Sequence, residues 1–344
     1  MRHVRDSSLN KPQQFEFARH SAGSAPLRRP GSVRRTTSID SDWPEGNGKP
    51  WEMIGRARDL LTPADGREPV ELAVAGFRIL ASPKREILSI SANPDHPRLQ
   101  ALVGVRAGGA SRAALNQELG DVRGTPLFQL VDDYAGASLV AAWIWSRWTD
   151  DWMRQQGPGP HDLSEDWAAR MRNVCVGFQE GASSLGSDGQ SVKFNASTSE
   201  VGPLENPDDP MGWHAMPHQQ GPQKRRARRI DVWRDGDVVR VDAGFQDSGS
   251  NPGGGRTAIH EYRVHAEVDA ASNRLLALQA LPLILPYREC PAASIKATRM
   301  IGQDVTTFRD TVLETLPQTL GCTHLNDVLR ALADVPVLAS RLAD

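Results

Sequence analysis

From Asp237 onward the hydrophobic positions alternate. DVVRVDAGFQD, HEYRVHAEVDA and RLLALQAL carry alternating or β-rich patterns separated by SGSNPGGG and ASN. Such runs, broken by glycine, proline and asparagine clusters, predict an antiparallel meander. After Cys290 the period lengthens. PAASIKATRMIG has Pro291 in its first turn, DVTTFRDTVLETL sets Val305, Phe308, Val312 and Leu316 on one face, and CTHLNDVLRALADV forms a third helical pattern. Strands followed by helices define an α+β class with helices packed on one face of the sheet.

Comparing the chain with itself predicts the same plan twice. RRTTSIDSDWPEG from Arg34 answers RRARRIDVWRDG from Arg225, each basic at first and then reaching Ile-Asp, tryptophan and a turn. REILSISANP from Arg85 answers NRLLALQALP from Asn273, Leu102-Val103-Gly104 answers Met300-Ile301-Gly302, and RGTPLFQLVDDYAGASLV from Arg123 answers LGCTHLNDVLRALADVPVL from Leu320. The matches keep their order, so the expected fold is a tandem α+β pseudo-repeat. Its divisions are a disordered basic tail over 1–33, an abbreviated first repeat over 34–148, a linker over 149–224 and a second repeat over 225–344. Within the linker, SEDWAARMRNVCVGFQ places Trp167, Met171, Val174 and Phe178 at helical spacing behind Ser164 as N-cap.

A formal net charge of −2 supplies no global reason to expect nucleic acid or an anionic membrane as partner. The run KRRARR, Lys224 to Arg229, is locally basic but has neither aromatics nor a reading helix beside it. It reads as a strand entry with solvated arginines. No stretch approaches the ~18 uninterrupted apolar residues of a membrane span, and no apolar run follows the basic N-terminus. The expectation is a cytoplasmic protein with a protein partner or a small ligand. NPGGGR lacks the lysine and spacing of a phosphate-binding loop and reads as a hairpin turn.

Candidate chemistry centres on the cysteines Cys175, Cys290 and Cys322, whose odd number and wide spacing do not form a disulfide framework. Cys290 and Cys322 fall at expected helix starts, where unpaired amides favour thiolate. His324 follows Cys322 by two residues and His260 lies on a strand, so Cys290, Cys322, His324 and His260 compose a candidate zinc or iron site. His265 and Asp304 are further candidates. The structural alternatives are inert buried thiols and a threonine cap, and Cys175 reads as a small buried hydrophobe.

RRARRIDVWRDGD, IHEYRVHAEVD, LPYREC and GCTHLNDVL resemble a bacterial family carried as domain of unknown function 2889, over Arg225 to Leu338. The resemblance implies neither an activity nor a site. The order of strands, Cys290 and then Cys322 is also similar to NifU/IscU-type iron–sulfur scaffolds, which implies a NifU-like fold with Cys290 and Cys322 as first and last scaffold cysteines. The middle cysteine has no counterpart, and here the histidine follows the last cysteine. A zinc or two-cysteine site tolerates those departures better than cluster assembly. GCTH resembles a catalytic motif of aspartate/glutamate racemases, but the first half holds no second cysteine. Three functions are therefore carried forward. They are a metal or thiol site in the second repeat, a non-catalytic binding protein with an internal pseudo-dimer, and a cysteine-dependent hydrolase or transferase using Cys322 and His324.

Overall fold

The computed structural model describes residues 19–151, 169–185, 198–217 and 220–342. Among these residues one antiparallel sheet of nine strands organises the chain. The strands are β1 (Ser32–Asp42), β2 (Trp51–Thr62), β3 (Val70–Ala81), β4 (Ile87–Asn93), β5 (Ser199–Val201), β6 (Gln223–Asp235), β7 (Val238–Ser250), β8 (Arg256–Asp269) and β9 (Leu275–Ile284). Their spatial order is β4-β3-β2-β1-β6-β7-β8, with β5 and β9 both paired to β8. Two meanders thus meet along β1 and β6, which pair without a break from Ser32↔Trp233 to Asp42↔Gln223. Gly236, at φ 60°, supplies the left-handed residue of the tight β6–β7 turn. NPGGGR forms the β7–β8 hairpin connection, as its glycines predict.

Each meander is followed by helices. After β4 come α1 (Gly109–Glu118), α2 (Pro126–Ala137) and α3 (Ala141–Trp148). After β9 come α4 (Ala292–Lys296), α5 (Phe308–Thr315), α6 (Thr323–Ala331) and α7 (Val335–Ala339). Thr125 caps α2 by accepting from the Phe128 amide, and Pro126 occupies the first turn. Cys322 holds the N-cap place of α6, with no side-chain capping bond. α2 packs across β1, β2 and β3, α7 lies over β6 and β1, and α6 touches both β8 and α2.

The core beneath these helices has two clusters. One joins Ile39, Met53, Phe77, Phe128 and Ile144. The other joins Val33, Ile230, Phe245, Tyr262, Phe308 and Leu329. On the opposite face, the end of the expected tail and the later part of the expected linker cover the sheet, with Trp213 packed against Ala25 and Ala227.

Two expectations change here. Of the tail expected over 1–33, residues 1–18 lie outside the described part, whereas the rest is ordered. The His20 amide donates to the Leu283 carbonyl, the Ala22 amide to Glu261, and Arg28 pairs with Asp209, because this segment satisfies donors and acceptors along the sheet. The helix expected from Ser164 lies outside the described residues through Asp166 and on to Ala168. Its later part departs from a helix at Cys175, which is extended at φ −153° and ψ 175°, and Val174 is exposed.

Candidate functional site

Alternation along β6 sends Lys224, Arg226 and Arg228 toward the helices and Arg225, Ala227 and Arg229 toward the opposite face, as their partners show. The reading of KRRARR as solvated is overturned, since Arg226 and Arg228 are each 1% exposed. Buried charge persists only when paired. Arg226 donates to both oxygens of Asp247 and to Asp327, Arg228 to Asp133, and Arg35 on β1 to Asp59 and Asp334. Arg309 links Asp334 to Asp132, and Arg330 continues from Asp132 toward Asp327. A line of alternating charges therefore runs between α2, α5, α6 and the sheet. Burial alone would raise Asp132, yet Arg330 and Arg309 hold it well below the carboxylate range. Gly136 on α2 makes room, because a Cβ there would meet Arg226 Nη1 and Asp327 Oδ2.

At one end of this line the pairing changes character. The antiparallel register sets His260 of β8 opposite Asp247, just before the register shifts, and α6 brings in His324. The two imidazoles stack, with centroids 3.4 Å apart and 15° between planes. His324 Nε2 lies 3.4 Å from Asp247 Oδ2. Neither His260 Nδ1 nor His324 Nε2 has a hydrogen-bond partner, although both are buried. One ligand atom from each of Asp247, His260 and His324 falls within 4.8 Å of the others. Burial pushes His324 down to about 3 and lowers His260 further than its neighbours can offset, so both rings are neutral. Burial would raise Asp247, but Arg226 and Lys224 keep it ionised. Burial drives Lys224 down to about 8 despite Asp247.

Residues 224–338 match the family model described as protein of unknown function (DUF2889). No curated protein and no solved structure matches the chain. The DUF2889 segment runs from β6 through most of α7, so it holds Asp247, His260 and His324 and excludes Cys175, β1 to β4 and α2. The line of alternating charges crosses its boundary at Arg35 with Asp334, Arg309 with Asp132 and Arg228 with Asp133.

The four residues expected to share one site separate into two pairs. His260 and His324 stack in the DUF2889 segment beside Asp247, a ligand candidate that the sequence reading missed. Cys290 and Cys322 lie near Tyr262 instead, where burial pushes both thiols up. That leaves little thiolate for the nucleophile of a hydrolase. His265 sits on the other sheet face, 3.8 Å from Asp242, and Asp304 is an exposed cap that accepts from the Thr306 amide. Asp247 was hidden because FQD closes a strand pattern like any polar residue. The signal that could have found it is the pairing of each Arg-Arg strand with an aspartate on the next strand, Arg35 with Asp59 and Arg226 with Asp247.

Proposed function

We propose that the DUF2889 segment binds a divalent transition-metal ion through Asp247, His260 and His324. Two imidazoles and one carboxylate form a donor set suited to borderline ions such as zinc, iron or nickel. The observation that carries the reading is the pair of buried, unpartnered nitrogens, His260 Nδ1 and His324 Nε2, beside an ionised carboxylate. Buried polar atoms are nearly always satisfied, and a missing ion is a standard reason for an exception. Arg226 and Lys224 repel the ion and favour an anionic co-ligand on its open side.

Nickel titration of the chelator-treated full chain tests this, because Ni(II) prefers imidazole over the protonated thiols nearby. The expected result is one ion per chain, lost in His324→Ala and His260→Ala and kept in His265→Ala. Equal binding by wild type and His324→Ala, or none by either, contradicts the proposal.

A second reading concerns the frame, an internal pseudo-dimer of two related α+β units. It is supported by the exchange of ion pairs across β1 and β6. Arg34 pairs with Asp231, Arg225 pairs with Asp40, and Thr37 lies opposite Arg228. Two copies of one Arg-Arg…Ile-Asp motif, paired antiparallel about Thr37 and Arg228, give the first arginine of each copy the other copy's aspartate. On this reading the first unit supplies structure, including Asp132 and Asp133, and the second supplies the metal ligands.

A further inference from the structure

The three cysteines approach one another, Cys290 and Cys322 buried and Cys175 half-buried. Cys175 arrives from outside the DUF2889 segment, on a stretch tied down by the Val176 amide donating to the Gly321 carbonyl, next to Cys322. Ser183 fixes the same stretch to Glu289, next to Cys290, through its amide and hydroxyl. Between the sulfurs stands Gly177. A Cβ there would lie 2.8 Å from Cys290 Sγ and 3.8 Å from Cys175 Sγ, so the two thiols face each other across an absent side chain. Phe178 meets Tyr287 edge-on at 5.4 Å and closes the outer side.

Tyr262 supplies the second observation. It is fully buried, and the Cys322 thiol is the group within hydrogen-bonding reach of its hydroxyl. The groups that act on it electrostatically are Cys322, Cys290 and Cys175. A phenolic O–H needs an acceptor, and a neutral thiol is a weak one. A thiolate would satisfy it.

We propose that Cys175, Cys290 and Cys322 form a site for a single soft d10 metal ion, with the Tyr262 hydroxyl donating a hydrogen bond to a bound thiolate. Three sulfur donors select such ions over magnesium or calcium. Binding releases the thiol protons to solvent, leaves the sulfurs at their thiolate oxidation level and needs no oxidant. The sulfurs close on the ion by side-chain rotation into the space that Gly177 leaves. This site is separate from the imidazole site proposed above, and either can fail without the other.

The test is titration of the reduced full chain with Cd(II), read by the ultraviolet thiolate-to-metal charge-transfer absorption, which imidazole and carboxylate ligands do not produce. The expected result is a band that saturates at one ion per chain and remains in His260→Ala. Cys175→Ser should weaken binding by on the order of 100-fold, and Tyr262→Phe by about 10-fold, as for loss of an outer partner. Absence of the band in the wild-type chain overturns the proposal whatever the variants do. A full band of unchanged affinity in Cys175→Ser overturns it as well.

Discussion

Two adjoining parts of the same buried layer treat polar atoms in opposite ways. Along the charge line from Asp59 to Asp247, each guanidinium has a carboxylate within 3.0 Å. At its end, the His260 and His324 rings are equally buried yet each leaves a ring nitrogen without a hydrogen-bond partner. Some guanidinium N–H groups, such as Arg228 Nη1, also lack a partner, but their ions are neutralised. The contrast separates polar residues that hold the helices on the sheet from the polar residues proposed as ligands. Removing the first kind should damage stability. Removing the second kind should change binding and leave the fold nearly intact.

The largest expected effect is therefore at Arg226. Arg226→Ala leaves Asp247 and Asp327 buried without their main counter-charge and should destabilise by about 3–5 kcal/mol in urea unfolding. A loss below about 1 kcal/mol would mean that water replaces the guanidinium and the line is not structural. Gly136→Ala should act through the same contact, since its Cβ cannot coexist with the present position of Arg226 Nη1. It should lower the thermal midpoint, and Arg226→Ala in the same chain should make the added cost of the methyl smaller.

The pH dependence splits the two regions further. His324 and His214 both have folded values of about 3 because burial disfavours their charged forms, so the unfolded chain binds protons that the folded chain does not. Their stabilisation is complete above pH ~6.5 and is lost as pH falls toward 3. The aspartates Asp132, Asp242 and Asp247 are depressed, so their contribution is complete above pH ~4 and declines below it. Urea midpoints should fall in two stages on acidification, and His324→Gln should flatten only the upper one. A profile unchanged by that substitution would contradict the neutral, buried imidazole.

At the cross-strand pairs, double-mutant cycles for Arg34 with Asp231 and for Arg225 with Asp40 should return couplings of the same sign, about 1–3 kcal/mol each. A coupling at only one of them would weaken the pseudo-dimer reading. The smallest effect belongs to the exposed pair Arg67 and Asp65, where Arg67→Ala should move stability by less than about 0.5 kcal/mol.

How far the sequence carries this picture depends on the element. β7, β8 and β9 are readable because their apolar residues alternate, and the helices after Cys290 because Val305, Phe308, Val312 and Leu316 share a face that is buried. β6 misleads because four arginines and a lysine in six positions look like a solvated run. Two of their aspartates, Asp133 and Asp327, lie about a hundred residues away in sequence, so only the fold reveals the pairing. The site is legible in part. His260 and His324 stand out as residue types and do meet, whereas Cys290 and Cys322 go elsewhere because Tyr262, two residues along the same face of β8, lies between the groups. Cys175 was hidden by a helical spacing that the chain abandons there.

The most direct measurement of the central claim is side-chain nitrogen NMR of the histidines as Zn(II) is added to the metal-free chain. The account predicts that His260 Nδ1 and His324 Nε2 move together to metal-bound shifts by one equivalent in slow exchange, while His265, half-buried on the other sheet face, stays unchanged. If His260 and His324 keep their neutral, unbound signals while zinc binds, or if no zinc binds, their unpartnered nitrogens do not mark a metal site.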